Sequence, residues 1–118
     1  MKVLLCILIM LAALSEKNLL TGRWESRPSE KGNVTGVVFK ERGVLEGYIN
    51  KKPFVSGTYT FDTKDSILSF VDNGCNGAKG VYKVLFFSNA DSLRCHAISD
   101  SCQARREGME RLVMGRVK

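Results

Sequence analysis

The chain has 118 residues, with 18 Lys and Arg against 12 Asp and Glu and a single Trp. That length provides for one modest hydrophobic core and excludes a second. The net charge of +6 and pI near 9.3 come from scattered side chains, not from a basic face interleaved with stacking aromatics, so solubility explains them better than nucleic-acid binding.

The first fifteen residues, MKVLLCILIMLAALS, combine Lys2, an apolar run from Val3 to Leu14, and the small residues Ala13 and Ser15 before Glu16. This pattern predicts a secretory signal peptide over residues 1–15, too short to span a bilayer and without a stop-transfer flank. Cys6 lies inside the apolar run and not directly after it, where a lipoprotein anchor would need it. A mature domain over 16–118, secreted or periplasmic, is expected.

From Leu20 onward, glycine or polar turn clusters recur every eight to twelve residues, separated by segments rich in Val, Ile, Tyr, Phe and Thr. The predicted strands are Gly22–Arg27, Val34–Lys40, Val44–Asn50, Phe54–Asp62, Ser66–Val71, Gly80–Phe87, Ser92–Ser99 and Leu112–Val117. Short links favour antiparallel neighbours. The expected fold is therefore all-β, a small eight-stranded up-and-down barrel whose closure removes both edges. Only Ser99 to Arg111 lacks alternation. It predicts a short helical turn before the last strand, capped by Asp100 or Ser101 and running through Met109. Such a turn would close one end of the barrel or pack along its side.

Two stretches echo one another. GTYTFDTKDSILSFVDNGC starts at Gly57 and GVYKVLFFSNADSLRCHAISDSC at Gly80, each reading Gly-x-Tyr, strand, acidic turn, strand and cysteine. As successive hairpins they bring their cysteines to the same end of the barrel. Export implies an oxidising compartment, so Cys75, Cys95 and Cys102 should form one disulfide and leave one thiol. Cys75–Cys102 is the favoured bridge, with Cys95–Cys102 as the alternative. With no CxxC pair and one histidine, neither a metal site nor a cofactor is implied.

Alternation turns Val55, Gly57, Tyr59 and Phe61 inward, together with Leu68 and Phe70. The echo adds Tyr82, Val84 and Phe86, and Leu93, Cys95 and Ala97 follow. His96 then faces solvent with no evident partner, and Cys95 reads as a buried, inert thiol. Leu85 and Phe87 point outward, either into a contact between copies or under the helical turn.

Gly22-Arg23-Trp24 at the start of the first strand resembles the Gly-x-Trp signature of the lipocalins and the wider calycin group. The run GTYTF…LSF…C…GVY…SLRC…SDSC is similar to small secreted lipocalin-like proteins of bacteria. The resemblance implies that Trp24 closes one end of the barrel, that Gly22 permits a tight entry, and that a late arginine, Arg116 or Arg105, lies across the indole. It also implies an interior ligand site. Typical lipocalins are half again as long, with a large loop over an open mouth that this chain lacks.

The expected function is therefore non-catalytic binding of a small apolar or amphipathic ligand. Phe61, Phe70 and Phe86 would form the walls, and Tyr59 and Tyr82 would supply hydroxyls. The alternative is a protein-interaction module or enzyme inhibitor acting through barrel-end loops such as Asp72–Gly80, its interior filled by side chains. There is no Ser-His-Asp or Cys-His set, no HExxH and no phosphate loop, so no catalytic residues are assigned.

Overall fold

The computed structural model describes residues 18–118, so the predicted signal peptide and Cys6 lie outside the described residues. Eight antiparallel strands form a closed barrel in sequence order: β1 Gly22–Ser26, β2 Thr35–Phe39, β3 Val44–Ile49, β4 Lys52–Asp62, β5 Ile67–Asp72, β6 Gly80–Phe87, β7 Ser92–Asp100 and β8 Val113–Arg116. A short 3-10 turn, Cys75–Gly77, sits between β5 and β6. One helix, α1, spans Gln103–Arg111. The all-β antiparallel barrel with a helix before the last strand is thus the observed fold.

Boundaries differ from expectation where backbone geometry intervenes. β4 begins at Lys52 because Asn50 and Lys51 both adopt positive φ and make a two-residue hairpin turn. Pro53 is accommodated in that strand beside a register shift at Gly47/Tyr48. The N-cap of α1 is Cys102 and not Asp100 or Ser101, and no side chain caps the helix. Asp100 instead accepts the Cys102 N–H at 2.9 Å.

The helix follows from the unequal lengths of the last two strands. β7 pairs β8 only from Ser92 to Arg94 and leaves the rest of its edge open. Nine helical residues rise about 13 Å, and Ser101 with the extended Cys102 and Leu112 supplies the rest of the roughly 20 Å that six strand residues span. That is enough to carry the chain back along β7 from Asp100 to the level where β8 starts. The Glu110 carboxylate accepts the Ala97 N–H at 2.7 Å, satisfying a donor on that edge. The same carboxylate lies 3.1 Å from His96 Nδ1, so His96 does have a partner, one that sequence pattern could not supply.

Most of the predicted inward set lies in the core, which Leu20, Trp24, Phe39, Leu45 and Met114 complete, while Val55 and Gly57 are only half-buried. Tyr59, Leu68, Phe70, Tyr82, Val84, Leu93 and Cys95 are buried, and Phe61, Phe86 and Ala97 pack against them. Chain direction divides the barrel into two ends. Residues 18–21 and the β2–β3, β4–β5 and β6–β7 turns lie at one, and the β5–β6 loop and the start of α1 at the other. Helix α1 does not cover the outward Leu85 and Phe87, which stay 44% and 42% exposed.

Candidate functional site

Aromatic residues close the first end. Trp24 is fully buried and donates its indole N–H to the Leu20 carbonyl at 2.8 Å. Phe86 lies 6.1 Å from the indole, and Phe61 meets Phe86 edge-on at 6.2 Å. Tyr59 packs edge-on against Phe39 at 5.0 Å and donates its hydroxyl to the Lys40 carbonyl at 2.5 Å. Burial raises the Tyr59 pKa above its ordinary value.

Of the two late arginines, Arg116 lies over Trp24, its guanidinium carbon 4.2 Å from the ring centre. It also donates to the carbonyls of Thr21, Leu19 and Ala90, tying the entering chain to the β6–β7 turn. Gly22 makes room for this arginine. Its φ of +129° lies in the region that favours glycine, and a Cβ there would sit 3.2 Å from Arg116 Nη1.

Arg105 is at the opposite end. Its side chain is 10% exposed and reaches from α1 between two carboxylates, Asp72 at the end of β5 and Asp100 at the end of β7. Nε and Nη2 donate to Asp100 at 2.8 and 2.9 Å, Nη1 to Asp72 at 3.3 Å, and Nη2 also to the Ala78 carbonyl at 2.8 Å. The guanidinium rests over Phe70 at 4.8 Å, and Phe70 stacks on Tyr82 at 5.8 Å. Tyr82 donates its hydroxyl to Asp100. Burial alone would push the Asp100 carboxyl up. Hydrogen bonds from Arg105, Tyr82 and the Cys102 N–H outweigh it and hold the carboxyl at about 2. For Tyr82, burial first and then the neighbouring carboxylate push the hydroxyl pKa well up. Cys75 and Cys102 form a disulfide beside this cluster, with Cα atoms 5.8 Å apart. Cys95 is the free thiol, and burial pushes its pKa up to about 12.

Arg105 and its carboxylates fill the β5–β7 half of this end. The β2–β4 half is open where Val37, Gly47 and Val55, neighbours across the three strands, present little side-chain bulk. The result is a cavity of about 640 Å³ running into the barrel from solvent. Leu20, Phe39, Leu45, Leu68, Leu93 and Met114 form its inner wall, with Phe70 and Cys95 beside them. Helix α1 contributes Ala104, Arg105, Gly108, Met109 and Arg111, residues recurring at helical spacing along one face.

The ligand residues expected from sequence are brought together only in part. Among Tyr59, Phe61, Phe70, Tyr82 and Phe86, Phe70 alone lines the cavity. Phe61 and Phe86 are used in the packed end under Trp24. Both tyrosine hydroxyls are already engaged, by Lys40 and Asp100 respectively, and so are not free handles. Sequence reading missed Phe39, Leu45 and the α1 face. The taper from small to aromatic inward residues could have indicated them, but only once the register between β2, β3 and β4 is known.

A second cluster lies on β1–β3. Tyr48 lies across Gly36, where a Cβ would collide with its ring, and donates its hydroxyl to Glu25. Arg23 sits over the ring at 5.4 Å. Burial, then the Glu25 hydrogen bond, raises the Tyr48 pKa. Among the described residues no three His, Cys, Asp or Glu side chains converge as metal ligands, and no helix is long and apolar enough to cross a membrane. The chain matches no protein-family model, and no curated protein is detectably similar to it in sequence.

Proposed function

We propose that this protein is a secreted, non-catalytic carrier or sensor that takes a small apolar ligand into its barrel, as the resemblance to lipocalins implies. The observation that carries the reading is the solvent-open cavity of about 640 Å³ with its apolar inner wall. That volume falls within the range of small-molecule sites, about 300–1,000 Å³. The Cys75–Cys102 disulfide fits an oxidising compartment. Nile red, an uncharged apolar dye, should bind saturably with increased emission. Leu45→Trp, which puts an indole into the inner part of the cavity, should weaken binding while far-UV circular dichroism stays unchanged. Absence of saturable binding by the dye and by a panel of apolar compounds would overturn the reading.

A second reading concerns a partner. Leu85 and Phe87 on β6, with Val113 on β8, leave large apolar side chains exposed on the outer surface. A weak homodimer through this face predicts a concentration-dependent elution volume that Leu85→Ser reduces to the monomer value. A monomer at every concentration removes it.

A further inference from the structure

Taking the interior cavity as the binding site, we infer that its ligand is an amphiphile with an anionic head group, the tail lying in the barrel and the head meeting Arg111. The lining has a polarity gradient. The inner wall of Leu20, Leu45, Leu68, Leu93 and Met114 is apolar and buried, and charged lining residues occur only as Asp72, Arg105 and Arg111. Asp72 and Arg105 are bound to each other, and Asp100 and the Ala78 carbonyl accept further hydrogen bonds from Arg105. Arg111 differs: it is exposed, and among the described residues it has no ion pair and no side-chain hydrogen bond.

The carboxylates nearest to Arg111 on the same helix are turned elsewhere. Glu110 accepts the Ala97 N–H and faces His96, and Glu107 accepts from Gln103 Nε2 at 3.2 Å. The margin of an apolar cavity therefore carries a guanidinium with no protein acceptor among the described residues. A carboxylate, sulfate or phosphate head emerging there would gain a charge-assisted contact. An alcohol would gain little, and a cationic head would meet like charge.

Competition against Nile red on the full chain tests this. Dodecanoate, dodecanol and dodecyltrimethylammonium share one tail and differ only in the head. Dodecanoate should displace the dye about fivefold more effectively than dodecanol, and dodecyltrimethylammonium less effectively than either. Arg111→Gln should erase the advantage of dodecanoate and leave dodecanol within about twofold of its wild-type value. Added salt should narrow the spread between the charged heads, weakening dodecanoate and strengthening dodecyltrimethylammonium, while leaving dodecanol unchanged. Equal displacement by all three, or a preference that survives Arg111→Gln, would overturn the anionic head group and leave interior binding intact. If the dye itself fails to bind saturably, the interior site fails and this inference with it.

Discussion

Replacing Arg105 by methionine should be among the most damaging single changes, and it should alter how stability depends on pH. Methionine keeps an apolar stem against Phe70 but removes all four hydrogen bonds that the guanidinium makes to Asp100, Asp72 and the Ala78 carbonyl. It leaves two carboxylates without their counter-ion, at 0% and 6% side-chain exposure. Breaking a buried pair by removing one partner costs about 3–5 kcal/mol, a large share of the ~5–15 kcal/mol available to a small domain.

The pH dependence supplies the sharper test. In the folded wild type Asp100 is held at about 2, whereas in an unfolded chain an aspartate titrates near about 3.9. A depressed folded pKa stabilises fully above the unfolded value and less as pH falls toward the folded one. A shift of that size corresponds to roughly 2–3 kcal/mol, lost from near pH 4 down to near pH 2. In the variant, burial is no longer opposed by Arg105, so Asp100 shifts upward and this acid-side loss should shrink or reverse. Urea midpoints measured between about pH 5 and pH 3 read the difference directly. Adding Asp100→Asn to the variant should recover part of the stability, because it removes one unpaired carboxylate. A variant whose midpoint matches wild type at pH 7 and falls as steeply on acidification would refute the reasoning.

At the other end, Arg116→Met removes the cation over Trp24 and three carbonyl contacts. A loss of about 2 kcal/mol with altered Trp24 emission is expected, and an unchanged urea midpoint would deny the arginine its closing role. Replacing Cys75 and Cys102 together by alanine opens a closure of 27 residues in sequence separation, which the chain-entropy estimate sets at roughly 3.5 kcal/mol. Thiol titration of the oxidised, unfolded chain should label Cys95, plus Cys6 where the first fifteen residues are retained; labelling of Cys75 or Cys102 contradicts the bridge. In the native protein, alkylation of Cys95 should be far slower than of a free thiol at neutral pH, since its pKa is pushed up to about 12. Gly36→Ala drives a methyl group into the Tyr48 ring. The expected cost is about 1–3 kcal/mol by thermal unfolding, and a neutral result means that Tyr48 is free to move aside.

The strand order, the inward aromatic set apart from Phe39, and the favoured pairing of Cys75 with Cys102 were legible in the sequence because they depend on local signals. Turn residues at regular spacing fix the strands, a period of two fixes the faces, and an antiparallel meander sends equivalent hairpin exits to one end. Gly22 and Trp24 stood out through the Gly-x-Trp resemblance, and Trp24 also as the only indole in the chain. The use of each aromatic residue was not legible. Tyr59, Phe61, Tyr82 and Phe86 share a pattern with Phe70, yet four of the five are spent on packing, and only Phe70 reaches the cavity. Which arginine covers Trp24 was likewise undecided. The register of β8 against β1 puts Arg116 opposite Trp24, while α1 carries Arg105 to the far end between Asp72 and Asp100. Those choices depend on contacts between residues as distant in sequence as Thr21 and Arg116, and on the stagger that closing a barrel imposes on its strands. One-dimensional periodicity carries no record of that stagger, so where the barrel is filled and where it stays open was decided by the tertiary structure.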